Sequence, residues 1–266
     1  MTATLLETRD TTRIFGGGRA LFGKRRPLVH AVDGVSLAVP RGKTLGIVGE
    51  SGCGKSTLAR MMVGLLAPTA GDIVLDGASV ADLARRDRRA LHRKAQMVFQ
   101  DPLGSLNPRK TVRHILEAPL IALHGMEARA RNQRVSELMS LVSLRAEFAE
   151  RYPHEFSGGQ SQRIGIARAL AASPELIVLD EPVSALDVSV QAQVLKLLAD
   201  LQTRLNLTYV FISHDLAVVE TISDEVAVMY LGKVVERGPR ERIFAEPQHE
   251  YTRLLLASSP GTRRGR

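Results

Sequence analysis

Residues 49–57 read Gly49-Glu50-Ser51-Gly52-Cys53-Gly54-Lys55-Ser56-Thr57 and are the most specific structural signal in this chain. It fits the pattern G-x-x-x-x-G-K-[ST], in which glycines let successive backbone N–H groups turn inward around a phosphate. An apolar run, Leu45 to Val48, precedes it, and the residues after it are apolar at helical spacing: Leu58, Met61, Met62 and Leu65. The sequence therefore predicts a strand, a phosphate-binding turn and a helix over Ser56 to Leu66.

Two residues of this loop carry specific chemistry. Lys55 supplies a point charge for the β- and γ-phosphates of a nucleotide, and the helix that begins near it adds the positive end of its dipole. Ser56 is expected to ligate Mg²⁺. The alternative, a glycine-rich turn without a ligand, is less favoured because the motif lies between a buried-type strand and a helix.

Cys53 is the only cysteine of the chain, and it lies inside the loop. We interpret it as a small residue that fits a crowded turn and has no catalytic role. A helix N-terminus beside Lys55 is nevertheless expected to lower the pKa of its thiol.

Strands and helices alternate along much of the chain. Leu176 to Leu179 and Leu207 to Ile212 are typical of strands that are buried on both faces. A long amphipathic helix is predicted between them, with Asp187 or Ser189 as its N-cap, from one apolar face: Val190, Val194, Leu197, Leu198, Leu201 and Leu205. This alternation predicts a parallel sheet with right-handed crossovers.

Other segments depart from this alternation. Asp101 to Arg163 begins with prolines and is helical in pattern thereafter, which indicates a helical insertion. Ile73 to Leu75 and Val226 to Leu231 are each followed by a turn that contains glycine, and both are expected to be antiparallel strands.

The chain has 266 residues, a formal net charge of +8 and a pI of about 10.0. Three short segments, Arg19 to Arg26, Arg85 to Lys94 and the tail from Arg263, together carry +12, so the remainder carries −4. The basic character therefore belongs to peripheral segments rather than to a broad groove, which argues against nucleic acid as the partner. An anionic membrane surface is a second hypothesis for these segments.

No stretch of the sequence is predicted to cross a membrane. The longest one without Asp, Glu, Lys or Arg has eleven residues, Met61 to Gly71, and is broken by Pro68, whereas a spanning helix needs about 18 or more. Met1 to Asp10 lacks the pattern of a secretory signal, and a single cysteine allows no internal disulfide. We therefore expect the reducing cytosol as the compartment.

Carboxylates and a histidine follow the predicted strands. Asp180 ends an apolar strand where its carboxylate is expected to reach Mg²⁺ through water, and Glu181 is expected to orient and deprotonate an attacking water. His214 comes just after the strand that ends at Ile212, where its imidazole is expected to hydrogen-bond a γ-phosphate. A satisfied structural histidine is the alternative for His214.

These motifs together resemble the ATP-binding cassette (ABC) ATPases. Six elements follow one another in that family's order: the phosphate loop, Gln100 at a strand end, Ser157-Gly158-Gly159-Gln160, the strand ending in Asp180-Glu181, Ser184 to Asp187, and Ser213-His214-Asp215. The resemblance implies an α/β fold with a P-loop NTPase (RecA-like) core and a parallel sheet, a small antiparallel β subdomain and an inserted helical subdomain at about residues 101–165. The ATPase domain is expected over residues 1–245 and a C-terminal extension over 246–266.

The resemblance also assigns roles in binding ATP and Mg²⁺. Residues 49–57 would hold the phosphates, and Gln100 would touch magnesium or the lytic water. Ser157 to Gln160 would complete the site of a partner subunit, so that two chains enclose two ATP molecules, with Asp187 near the shared interface. Phe15 is expected to stack on adenine, and Phe22 is the alternative.

Two segments point to a subgroup. Gln100 to Arg109, and Gly238 to Leu255, are similar to segments of ATPases that import dipeptides, oligopeptides and nickel, although Glu250 stands where that group usually has proline. The implied partners are integral-membrane permease subunits, a second identical or different ATPase subunit and, indirectly, an extracytoplasmic solute-binding protein. The implied location is peripheral, on the cytoplasmic face of the inner membrane.

Two other functions are alternatives. A soluble ABC-type ATPase that acts on nucleic acid or ribosomes would suit the high pI, but such proteins usually carry tandem cassettes, long coiled coils or zinc inserts. A P-loop kinase or small GTPase would not need Ser157 to Gln160.

The position of Cys53 generates a chemical test. Because an adduct on this thiol would crowd the phosphate loop, we expect stoichiometric alkylation to block ATPase activity, and bound nucleotide to protect the thiol. Full activity after complete modification, measured by phosphate release, would contradict this expectation.

Overall fold

The larger of two sheets contains the predicted buried strands. A computed structural model describes residues 3–17 and 27–258. The larger sheet has six strands, which are, in spatial order, β10 (Lys233–Pro239), β9 (Glu225–Tyr230), β3 (Thr44–Val48), β8 (Thr208–Ile212), β7 (Leu176–Asp180) and β6 (Ala95–Val98). Every neighbouring pair is parallel except β9 and β10. This confirms the parallel sheet.

The smaller sheet is antiparallel. Its four strands, in spatial order, are β2 (Val29–Pro40), β1 (Thr4–Phe15), β4 (Ala70–Leu75) and β5 (Ala78–Ser79). The predicted antiparallel strand at Ile73 to Leu75 is therefore part of β4. The run from Val226 differs in part from its prediction, because β9 pairs antiparallel with β10 but parallel with β3.

Eleven α-helices lie within the described residues. They are α1 (Lys55–Met62), α2 (Val80–Arg86), α3 (Arg88–Lys94), α4 (Pro102–Ser105), α5 (Val112–His124), α6 (Ala128–Leu141), α7 (Gly158–Leu170), α8 (Val188–Leu205), α9 (Leu216–Ile222), α10 (Arg240–Ala245) and α11 (Glu250–Ser258). Two short 3₁₀ helices, Ala146–Glu150 and Pro153–Glu155, precede α7. The helical insertion thus takes the form of α4 to α7, and its end at about residue 165 stays a prediction because α7 continues to Leu170.

The larger sheet separates two apolar cores. Side chains of a strand alternate between the faces of a sheet. In β7, Leu176 and Val178 pack into the core that contains α1 and the smaller sheet, whereas Ile177 and Leu179 pack into the core formed with α5 to α9. All five residues of β7 are buried, which explains its continuous apolar run.

Helix α1 is shorter than predicted. It ends at Met62 because Gly64 has a φ of 72°, in the left-handed region that glycine adopts without steric cost. The N–H groups of Gly64 and Leu65 donate back to the carbonyls of Met61 and Arg60 and close the last turn. The helical spacing of apolar residues continues to Leu65, so the sequence pattern does not predict this turn.

Asp187 is the N-cap of α8. Its carboxylate accepts hydrogen bonds from the Val190 N–H at 3.0 Å and from the Ser189 hydroxyl at 2.7 Å. These bonds hold the pKa of Asp187 below its ordinary value. The choice left open between Asp187 and Ser189 is thus settled in favour of Asp187.

Only one of the three basic segments lies within the described residues. Arg85 to Lys94 occupies the end of α2 and all of α3, whereas Arg19 to Arg26 and the tail from Arg263 lie outside the described part of the chain. Among the helices of residues 3–17 and 27–258, none combines the length and the apolar character needed to cross a membrane.

Helix α8 provides a matched test of this packing. Leu198 is fully buried and Leu205 is 43% exposed, so Leu198→Ala creates a cavity and Leu205→Ala does not. We expect Leu198→Ala to lower the free energy of unfolding by about 2–5 kcal/mol and Leu205→Ala by under about 1 kcal/mol. Urea titration of both variants measures the difference, and equal losses would contradict the assignment of the core.

Candidate active site

The phosphate loop joins β3 to α1 and lies against the backbone of both sheets. Gly54, the N-cap of α1, has a φ of 108°, and a Cβ atom there would lie 1.9 Å from the carbonyl oxygen of Ala31 in β2. Gly49 has a φ of 150°, and its Cβ would lie 2.1 Å from the carbonyl oxygen of Met229 in β9. Both glycines of the motif are therefore required by space as well as by backbone conformation.

Lys55 is folded back onto the loop. Its ammonium donates hydrogen bonds to the carbonyls of Gly49 at 2.7 Å and Glu50 at 2.8 Å, and the residue is only 4% exposed. Gly54 offers no side chain to cap the first turn of α1. A buried positive charge and a helix N-terminus thus lie side by side, an arrangement that favours an anion.

A buried carboxylate, Asp180, is hydrogen-bonded to the half-buried hydroxyl of Ser56. The Ser56 hydroxyl donates to Asp180 Oδ1 at 2.9 Å, and Asp180 is 5% exposed. Burial raises the pKa of Asp180; the bond from Ser56 opposes this, and neighbouring Glu181 adds to it. Because burial disfavours the charged carboxylate, a cation beside it would stabilise the ionised form. Hydroxyl and carboxylate oxygens are the donors that Mg²⁺ prefers.

Glu181 accepts hydrogen bonds from two side chains that follow other strands. Gln100 Nε2 lies 3.1 Å from Glu181 Oε2, and His214 Nδ1 lies 3.1 Å from the same oxygen. The Glu181 side chain is 15% exposed. These contacts fix its carboxylate at one position beside Asp180.

The backbone of Glu181 is held in an uncommon conformation. Its φ is 48°, in the left-handed region, where a residue with a side chain is strained by about 1 kcal/mol or more. The Glu181 N–H donates to the Ile212 carbonyl at 2.9 Å, and the Glu181 carbonyl accepts a hydrogen bond from the Ser184 hydroxyl at 3.1 Å. Neighbouring backbone therefore determines how Glu181 turns away from the strand that ends at Asp180.

The topology explains why distant residues meet. Gln100 follows β6, Asp180 and Glu181 end and follow β7, His214 follows β8, and the phosphate loop follows β3. These four strands are parallel neighbours, so their carboxyl ends lie along one edge of the sheet.

The segment Ser157 to Gln160 starts α7 and forms hydrogen bonds within itself. The Ser157 hydroxyl accepts from the Gln160 N–H at 3.4 Å, and the Gln160 side chain accepts from the Ser157 N–H at 3.1 Å. This reciprocal pair is a capping box. Gly159 faces Val190 of α8, where an added Cβ would lie 2.4 Å from a methyl carbon.

The starts of α7 and α8 are thus neighbours, which brings Ser157 to Gln160 close to the segment before α8. Within residues 3–17 and 27–258, no hydrogen bond or ion pair joins Ser157 to Gln160 to the cluster of Lys55, Asp180 and Glu181. The structure therefore brings Asp187 near this segment, and within the described residues neither is bonded to the phosphate loop.

Phe15 ends β1 and is 40% exposed, with the Arg13 guanidinium 4.8 Å from the centre of its ring. It pairs with Val29, two residues before the Ala31 that touches the phosphate loop. Phe22 lies outside the described residues.

No group of three or more His, Cys, Asp and Glu side chains that could hold a metal occurs in the described chain.

The expected low pKa of Cys53 is wrong. Burial raises the pKa of this thiol and outweighs the opposing effect of the Lys55 ammonium, whose Nζ lies 3.8 Å from the sulfur. The sequence placed the thiol beside a positive charge correctly, but it did not show that the thiol is 7% exposed. Alkylation near neutral pH should therefore be slower than at an ordinary cysteine.

Two residues at the site were missed by the sequence analysis. Arg168 of α7 is buried enough to lower the pKa of its guanidinium, and it donates to the Ser105 carbonyl at 2.5 Å. The Tyr251 hydroxyl accepts from the Glu50 N–H at 3.1 Å. No local signal reveals this second contact, because its partners are 201 residues apart in the sequence.

Comparison with known proteins agrees with this geometry. The ABC transporter family matches residues 32–184. The chain is 53% identical over 262 residues to the oligopeptide transport ATP-binding protein AppF of Bacillus subtilis, covering 98% of this chain and 80% of the relative. It is 54% identical over 242 residues to the dipeptide transport ATP-binding protein DppF of Haemophilus influenzae, covering 91% and 74%.

Solved structures show the same fold. A dimeric, post-hydrolysis structure of the ATP-binding cassette MJ0796 bound to ADP and Pi superposes with a TM-score of 0.78 at 29% identity, covering 89% of this chain and 99% of that one. The structure of cbiO1 from Clostridium perfringens, part of the ABC transporter complex cbiONQ, gives 0.77 at 27% identity, covering 91% of each chain. The α/β fold with a P-loop NTPase core is therefore confirmed. With its extensive match to this family, the chain belongs to the ABC transporter ATP-binding proteins and couples ATP hydrolysis to transport.

Proposed function

We propose that this chain is the nucleotide-binding subunit of a peptide importer, bound to the cytoplasmic face of the inner membrane through permease subunits. The observation that carries the proposal is the cluster at the sheet edge, where a phosphate loop, a buried carboxylate and a fixed glutamate meet. The names of AppF and DppF support peptides as the transported solute. An extracytoplasmic solute-binding protein would deliver the peptide to the permease.

The phosphate loop would hold the ATP phosphates. Backbone N–H groups of the loop and of the first turn of α1 would surround the anion, and Lys55 would move its ammonium from the carbonyls of Gly49 and Glu50 to the β- and γ-phosphates. Phe15 would stack on adenine, since its strand pair runs toward the Ala31 carbonyl beside Gly54.

Ser56 and Asp180 would hold Mg²⁺. The ion would be bound by the serine hydroxyl directly and by the aspartate through water, with Gln100 as a further oxygen donor. When bound, it would neutralise charge on the phosphates. The raised pKa of Asp180 supports this assignment, because a cation beside the buried carboxylate would restore its ionised form.

Glu181 would be the general base. Its carboxylate accepts a proton from the attacking water, while Gln100 and His214 hold one of its oxygens. A neutral imidazole has one N–H, and in this structure Nδ1 faces the Glu181 carboxylate. To donate to a γ-phosphate through Nε2 as well, His214 must be protonated or exchange its bond to Glu181.

A second ATPase subunit would complete each site. Ser157 to Gln160 lie apart from their own phosphate loop and would contact the nucleotide of the partner, with Asp187 at the shared interface. Val188, next to Asp187, is 82% exposed, which suits a surface that a partner covers. The dimeric form of MJ0796 supports this arrangement.

The permease subunits would dock in the cleft beside Gln100. This cleft has a volume of about 940 Å³ and lies between α3, α5 and the end of β6. Its lining is mixed, with Phe99, Ala118 and Leu123 beside the cations Arg60 and Arg168. Gln100 itself lines the cleft, so docking would contact the same residue that holds Glu181.

Glu181→Gln tests the general base. The amide retains the shape of the side chain but does not accept a proton, so we expect turnover to fall by about 10²- to 10⁴-fold. ATP binding should persist, and size-exclusion chromatography with ATP should show a trapped dimer. Glu220→Gln, on the exposed face of α9, is the matched control. Normal turnover of the Glu181 variant, measured by phosphate release, would remove Glu181 from this role.

Lys55→Ala tests the phosphate loop. Loss of the Lys55 ammonium, which touches the loop at two carbonyls, should raise the Kd for ATP at least about tenfold, which corresponds to about 1.4 kcal/mol. The exposed Lys196→Ala is the control, and thermal unfolding verifies that both variants fold. Undiminished affinity in calorimetric titration would argue against the loop as the phosphate site.

Ala118→Arg tests the docking cleft. Ala118 is exposed on α5 and lines the cleft, so an arginine there would fill part of it. We expect the variant to bind ATP normally and to lose co-purification with the permease subunits. Ala130→Arg, on the exposed surface of α6, is the matched control. Recovery of permease subunits at the wild-type yield would place the docking surface elsewhere.

A further inference from the structure

The C-terminal helix α11 contacts the phosphate loop through Tyr251. The Tyr251 hydroxyl accepts a hydrogen bond from the Glu50 backbone N–H at 3.1 Å. Tyr251 is 9% exposed, and burial raises the pKa of its hydroxyl, so the group stays neutral at physiological pH. The Glu50 N–H is thereby fixed by a side chain from another element, 201 residues away in the sequence.

Two further contacts hold Tyr251 in place. Its ring lies 4.2 Å from the ring of Tyr230, centre to centre, with an angle of 33° between the planes. The carboxylate of Glu236 in β10 accepts from the N–H groups of Gln248 at 2.8 Å and His249 at 3.0 Å, immediately before α11. Glu236 is 8% exposed, and although burial opposes its ionisation, these donors hold its pKa below the ordinary value.

The opposite end of the loop is held by the turn between β9 and β10. The Gly232 N–H donates to the Cys53 carbonyl at 3.0 Å. Tyr230, which packs on Tyr251, is the last residue of β9 and comes two residues before Gly232. The two hydrogen bonds therefore hold Glu50 and Cys53, and the partner residue of each lies after residue 229 in the chain.

We propose that Tyr251 is a positioning residue of the phosphate loop, through which helix α11 fixes the Glu50 amide and preorganises the loop for the phosphates of ATP. The inference rests on the proposed phosphate-binding role of the loop. A preorganised loop loses less conformational freedom on binding, so this contact should strengthen nucleotide affinity. The residues proposed for the chemical step, Glu181 and His214, lie at other strand ends, so the turnover rate should not depend on it.

Tyr251→Phe tests the role with the least disturbance. It removes the hydroxyl and keeps the ring against Tyr230, so α11 should remain docked. For the full chain, we expect the Kd and the KM for ATP to rise about three- to tenfold, the range that loss of one hydrogen bond gives, with kcat within about twofold of wild type. Tyr230→Phe removes a hydroxyl from the other ring of the pair, and should leave the Kd within about twofold.

Glu236→Gln tests whether α11 acts through Tyr251. Removing the charge that fixes the start of α11 should raise the Kd in the same direction as Tyr251→Phe. If both variants act through the same contact, their effects should overlap. The increase in Kd of the double variant should then be smaller than the product of the two single increases. Independent, multiplicative effects would contradict the shared route.

The remaining outcomes separate the inference from the proposed function. A Kd for Tyr251→Phe within about twofold of wild type, or a loss confined to kcat, would overturn the positioning role of Tyr251. If the wild-type chain binds ATP in the same experiment, the assignment of the phosphate loop still stands. Failure of the wild-type chain itself to bind ATP in the same titration would contradict both.

Discussion

The close approach of the phosphate loop to two backbones is the constraint on which the site depends. Gly54 lies against the Ala31 carbonyl of the smaller sheet, and Gly49 lies against the Met229 carbonyl of the larger sheet. A side chain at either position would push the loop away from one sheet. Because α1 begins at this loop and packs between the two sheets, the loop conformation also fixes where the first turn of the helix points.

Burial of charge is the second feature of the site. Lys55 and Asp180 are both nearly inaccessible, and each is satisfied by uncharged groups, two carbonyls for the ammonium and one hydroxyl for the carboxylate. Burial of such charges is costly unless opposite charges compensate for it. Arg60 and Lys55 act in this direction on Asp180, but burial still raises the pKa of its carboxyl. A ligand that brings an anion to Lys55 and a cation to Asp180 would relieve both costs together, so nucleotide and metal would bind cooperatively. The burial of Cys53 in the same place explains why its pKa rises despite the neighbouring ammonium.

The sequence predicted the parts of this site that depend on local pattern. The phosphate loop, the strand before Asp180 and the cap at Asp187 each have a signature within a few residues, and the parallel alternation brings the strand ends together. Patterns could not show the end of α1, which depends on the φ of Gly64, or the exposure of Cys53, which depends on packing from β9. The contact between Tyr251 and Glu50 joins elements far apart in sequence, and neither residue type indicates the other.

In the proposed function, Glu181 would connect the chemistry of the site to the cleft beside Gln100. Its carboxylate is held by Gln100, which lines the cleft, and by His214, which follows the neighbouring strand. Its strained backbone is fixed by the Ile212 carbonyl, so the side chain has little freedom to follow a displaced partner. A shift of Gln100 by about 1 Å would therefore lengthen a 3.1 Å hydrogen bond beyond useful range rather than move the glutamate with it. If the permease docks in this cleft as proposed, a segment that moves Gln100 would break a contact of the proposed general base.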